Sequence, residues 1–172
     1  MIRMEMREYP WVGTPAERPL VVGVEPGQDA RVLRTAAEIA QAQGTGVVAV
    51  WVDPTHVLVA PDSSGVPTAT PVDPDGTDTP PTEDEREVRA LVHGELAPSA
   101  VPWRFVSAVG EVARGLAHVA ASYRGVMIVV GARRPGFSGW MNEVIGGSVA
   151  GHLAHTQDLP VLVVPLHGGA SA

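Results

Sequence analysis

The sequence predicts a doubly wound α/β fold, a parallel sheet with helices on both faces. Five short runs rich in β-branched residues, at 20–24, 47–52, 103–109, 126–130 and 161–164, alternate with segments striped at helical spacing. The first run is apolar at consecutive positions, as in a strand buried on both faces. The segments between them are long enough to hold a helix, and such connections imply parallel strands with right-handed crossovers.

Taken in order, residues 1–18 carry prolines, charges and no clear period, and they read as a flexible amino-terminal arm. After the first strand, Asp29 suits the cap of a helix over 30–43. Its stripe is Val32, Leu33, Ala36, Ala37, Ile39 and Ala40, and Gly44 suits its stop. Beyond the second strand the composition changes. Residues 53–82 interleave prolines with Asp, Thr, Ser and Gly. Such a segment cannot bury enough apolar area to offset the roughly 1–2 kcal/mol per residue of backbone entropy, and it reads as a disordered insertion. Thr82 and Glu85 form a capping-box pattern for a helix to about residue 96, with Val88, Leu91 and Val92 facing inward. Val112, Leu116, Val119, Ala120 and Tyr123 stripe the helix after the third strand. A glycine-rich stretch over 131–147, a helix over 148–155 and the fifth strand complete a domain at 19–166, leaving 167–172 as a tail.

The totals exclude several functions. A net charge of −7 argues against nucleic acid or an anionic membrane as partner. All 12 basic residues are arginine, so a Walker lysine and Schiff-base chemistry are both ruled out. The absence of cysteine removes disulfides, thiolate metal sites and a thiol nucleophile. No apolar run approaches the roughly 20 residues that cross a bilayer, and the first residues lack the hydrophobic stretch of a signal peptide. A cytoplasmic location is the expectation.

The strongest chemical signal runs from Gly131 to Val149. It begins where the most apolar strand ends and finishes at a helix start, with Gly146, Gly147 and Ser148 just before Val149. Glycines let a backbone approach a phosphate, and a helix start offers unpaired N–H groups. Ser148 adds a hydroxyl, and Arg133 and Arg134 add charge. An ordinary β-to-α loop with turn glycines and a capping serine explains the same residues equally well.

The stretch from Gly131 to Pro165, with its spaced glycines, Gly147-Ser148, a helix and the strand ending in Pro165, resembles the carboxyl-terminal signature of the universal stress protein family. The first strand ending in Glu25 resembles the family's opening, and Gly110-Glu111-Val112 its turn after the third strand. The resemblance implies a five-stranded parallel sheet in the order 3-2-1-4-5, and a homodimer through the last strand. It also implies binding of ATP or another adenine nucleotide, with magnesium entering only alongside the nucleotide, and little or no catalysis beyond a slow ATPase. Carried over by position, the site would comprise Glu25, Val52, Gly131, Gly147, Ser148 and Val149, with Arg133 supplying charge. The family's acid is usually aspartate. Its second glycine falls on Arg134 here, and the Gly131–Gly147 interval is three residues longer than the pattern. Those departures motivate an alternative: a homodimeric interaction protein of the same fold that binds no nucleotide.

Other motifs have simpler readings. Residues 146–150 nearly match a Gly-x-Ser-x-Gly elbow, but an elbow needs a strand running directly into its serine. His152 and His155 share a helix face near Asp158, and metal binding would need a third ligand. His118 reads as a surface residue, Glu83, Asp84 and Glu85 as complements to a helix dipole, and Trp103 and Trp140 as packing.

Overall fold

Strands buried on both faces need helices on each side, and the chain is arranged in those three layers. The computed structural model describes residues 4–54, 80–132 and 149–166. The elements are β1 (Met6–Glu8), β2 (Leu20–Gly23), α1 (Arg31–Gln43), β3 (Val47–Asp53), α2 (Glu83–Leu96), β4 (Trp103–Val109), α3 (Val112–Ser122), β5 (Met127–Gly131), α4 (Val149–Thr156) and β6 (Val161–Val164). The sheet order is β1-β4-β3-β2-β5-β6. The five expected strands, β2 to β6, are all parallel and lie in the expected order. The strand count is corrected from five to six, because β1 adds an antiparallel edge beside β4.

That extra strand comes from the segment read as a loose arm. Met6, Arg7 and Glu8 pair with Ala108, Ser107 and Val106, and the Tyr9 N–H donates to the Phe105 carbonyl at 3.0 Å. Val12 then bridges Trp103, one residue later than that register requires. The extra residue is a bulge beside Pro10, which has no N–H to give the ladder. Side chains secure the strand on both faces. Arg7 donates to both oxygens of Glu85 at 3.1 and 3.0 Å, and the Tyr9 hydroxyl donates to Glu85 at 2.7 Å. On the opposite face the Tyr123 hydroxyl donates to Glu8 and accepts from Arg104 at 2.8 Å.

The alternation of side chains divides the core in two. Leu20, Val22, Ala49, Trp51, Phe105 and Val129 pack under α1 and α2. Val21, Val48, Val50, Val106, Ile128 and Val130 pack under α3 and α4. Helix ends follow local chemistry with two corrections. The α1 cap position is Ala30, without a side-chain bond, while Asp29 accepts from the Arg31 N–H at 2.9 Å from one residue earlier. Gly44 ends α1 at φ 65°. Thr82 caps α2 by accepting from the Glu85 N–H at 3.2 Å, but the Glu85 side chain is committed to Arg7 and Tyr9 instead of closing the box. At α3, Glu111 accepts from the Ala113 and Arg114 N–H groups, both at 3.0 Å. Of the expected insertion only 53–54 and 80–82 fall within the described residues, and Asp53 belongs to β3. The tail at 167–172 lies outside them.

The two tyrosines of the chain make the edge strand sensitive to alkali. Burial first, then donation to Glu8, raises the Tyr123 phenol well above its ordinary value; burial and Glu85 raise Tyr9 likewise. The neutral phenols therefore stabilise the fold fully below the unfolded value of about 10. That contribution is lost as pH rises from there through the folded values. We expect phenolate absorbance to appear only above pH about 10, together with unfolding. Ionisation of both rings in the folded protein at the ordinary value would refute this.

Candidate functional site

The winding reverses between β2 and β5, so α1 and α2 cover one face while α3 and α4 cover the other. In open α/β sheets such a reversal leaves a crevice beyond the carboxyl ends of the strands. Glu25 follows the end of β2, and Gly131 is the last residue of β5, so the fold brings both to this end of the sheet. Val52 lies at the same end of β3.

Backbone direction determines what these strand ends can offer. The last bond from β2 to β3 is Val24 N–H to the Val50 carbonyl, 2.9 Å. Peptide groups in a strand alternate sides, so those of Val52 also face β2, just beyond where β2 stops. A further rung would need an N–H from residue 26 for the Val52 carbonyl, and Pro26 has none. The Val52 side chain is unavailable to a ligand: it is buried against Gly115, where an added Cβ would lie 2.7 Å from a Val52 methyl. Only its backbone faces the crevice.

On the other flank, the β2–β5 ladder ends at Val22 and Val129. Glu25 is half-buried, and its N–H donates to Gln28 Oε1 at 3.2 Å. Gln28 Nε2 reaches the Gly23 carbonyl at 3.4 Å. Gly131 is buried, and a Cβ there would meet Leu166 and Val32 at 3.1 Å and Gln28 Nε2 at 3.2 Å. Any side chain at 131 would therefore crowd the crevice floor. Gly27, at φ 69°, donates its N–H to Glu87 of α2 at 3.2 Å. Val149 opens α4 and is buried in the α3–α4 cluster. Arg133, Gly147 and Ser148 lie outside the described residues, as do Arg134 and Trp140.

Sequence reasoning passed over two residues at this end. Gln28 looks like a loop residue, and the only clue to its role is its three-residue spacing from Glu25. Asp53 is buried at 6% exposure at the tip of β3, an acid directly ending an apolar run. His152 and His155 lie on α4, and among the described residues no three His, Asp or Glu side chains converge as a metal site. A cleft of about 660 Å³ lies at the opposite, amino end of the sheet, lined by Arg18, Gln41, Thr45 and Pro102 among others. It is remote from the reversal, the end at which open α/β sheets bind their ligands.

Comparison with known proteins agrees with this architecture. The model of the universal stress protein family matches residues 17–165. A universal stress protein from Archaeoglobus fulgidus is 21% identical, with a TM-score of 0.57 over 85% of this chain and 92% of that one. A structure of the universal stress protein from that organism in complex with dAMP is 21% identical, with a TM-score of 0.56 over 85% and 96% of the two chains. A universal stress protein in complex with cAMP is 20% identical, with a TM-score of 0.56 over 87% and 98%. No curated protein matches the sequence. Identities this low carry the fold alone, but the family match covers most of the chain. This chain belongs to the universal stress protein family.

Proposed function

We propose that this chain is a stress-response protein that binds an adenine nucleotide, with little or no catalysis. The observation that supports this most is the pair of Val52 peptide groups facing the crevice past the end of β2. One residue there offers a donor beside an acceptor, and adenine offers an acceptor beside its amino donor. The structures of two universal stress proteins, in complex with dAMP and with cAMP, support the same ligand class. In this reading Glu25 holds the ribose. The Gly131 N–H, Arg133, Gly147, Ser148 and the amide of Val149 hold the phosphates of ATP or another adenine nucleotide. With no lysine in the chain, amides, a hydroxyl and arginine must neutralise the anion, and magnesium enters only with the nucleotide.

The same reading makes the protein a cytoplasmic homodimer. β6 pairs with β5 on one side, and Val163 within it is 43% exposed, which suits a second copy adding through this strand.

Calorimetric titration with ATP, ADP and cyclic AMP tests the proposal. Binding of at least one is expected, and Ser148→Ala should weaken ATP about tenfold through the loss of a charge-assisted hydrogen bond. Absence of heat with all three ligands would overturn the nucleotide reading. Unchanged affinity in Ser148→Ala would move the phosphates elsewhere.

A further inference from the structure

The two peptide groups that would extend the β2–β5 ladder by one rung are the Gly23 carbonyl and the Glu25 N–H. In a parallel pair continuing the Val22–Val129 register, they would meet the N–H and C=O of Gly131. One side chain reaches both groups, with the Glu25 N–H donating to Gln28 Oε1 at 3.2 Å and Gln28 Nε2 donating to the Gly23 carbonyl at 3.4 Å. A carboxamide has the donor and acceptor of a peptide unit, so Gln28 stands in for the strand partner. Its own N–H donates to the Glu25 carbonyl at 3.3 Å, closing the loop around the side chain. Gln28 Nε2 also lies 3.2 Å from the point a Gly131 Cβ would occupy, so the substitution takes place directly over the end of β5.

We infer that Gln28 is a positioning residue that stops β2 from zipping onto β5, and so keeps the Gly131 carbonyl turned to the crevice as a ligand acceptor. Pro26 ends the pairing on the β3 flank, and Gln28 ends it on the β5 flank. The ligand group served is a hydrogen-bond donor of the nucleoside half, a ribose hydroxyl or the base amine, since a carbonyl repels phosphate. This rests on the nucleotide reading above.

Gln28→Ala in the full chain, compared with wild type, tests it. The crystal structure of the variant should show the Glu25 N–H bonded to the Gly131 carbonyl, with the ladder one rung longer. Calorimetry should show adenosine, AMP and ATP all weakened by a similar factor of about ten, as expected for one lost hydrogen bond in the shared nucleoside. The melting temperature should stay unchanged or rise, which a merely structural role would not produce. Wild-type binding with the same affinity in Gln28→Ala overturns this inference alone. So does a loss confined to ATP. A wild-type chain that binds neither adenosine nor ATP overturns the nucleotide reading, and this inference falls with it.

Discussion

Arg7→Met is expected to lower the free energy of unfolding by about 2–3 kcal/mol, somewhat less than the cost of breaking a fully buried ion pair. The reason lies with its partner. The side chain of Glu85 is 5% exposed, and its two oxygens accept from Arg7 at 3.1 and 3.0 Å. Methionine keeps the aliphatic stem but leaves a buried carboxylate without its guanidinium, still held by the Tyr9 hydroxyl. Arg7 itself is 26% exposed, so water entering at that edge limits the penalty. Chemical denaturation of the single variant and of Arg7→Met/Glu85→Leu checks the explanation. The double variant should recover most of the loss, because it removes the stranded charge along with its partner. A double variant as unstable as the sum of its parts would show that the pair acts independently of burial.

Gly46→Ala is expected to cost about 2–3 kcal/mol, toward the upper end for overpacking a site that cannot relax. An added Cβ would lie 2.6 Å from the Pro102 carbonyl oxygen and 2.8 Å from Ala16 Cβ. The carbonyl cannot swing away, because it accepts the Val47 N–H at 2.9 Å at the start of the β3–β4 ladder. Gly46 is also tied to β2 through its own carbonyl, which accepts from Leu20 at 2.9 Å. Thermal denaturation reads the loss. Because this position lies at the amino end of the sheet, nucleotide affinity below the melting transition should not change. A variant as stable as wild type would mean that the β3–β4 register yields more easily than its hydrogen bonds suggest.

The central strands were legible because their burial on both faces imposes consecutive apolar residues, and Val47–Asp53 and Met127–Gly131 fall within a residue of where the pattern puts them. β1 was not legible. Its residues alternate charge with single apolar side chains, which reads as solvent exposure. The charges are in fact matched by Glu85, Tyr123 and Arg104 from elements about 80 to 115 residues away in the chain. Nothing local announces such partners. Glu85 shows the same limit: its spacing from Thr82 suits a capping box, yet a distant arginine and tyrosine compete for its carboxylate and hold it.

Of the candidate site, the sequence marks Glu25 and Gly131 by residue type alone, and the fold brings both to one end of the sheet. The contributions of Pro26 and Gln28 were hidden because they depend on which strands flank β2. A proline in a loop ends nothing in particular until β3 is known to lie beside it. A glutamine's mimicry of a peptide matters only once β5 lies on the other flank.

Among the described residues the sheet ends on β6 at one side and, beyond β4, on the three residues of β1 at the other. A subunit with two long rims could add neighbours at either end without limit and grow into a fibre. A rim of three residues offers an incoming strand few backbone partners, so β1 biases growth by strand addition toward the β6 side.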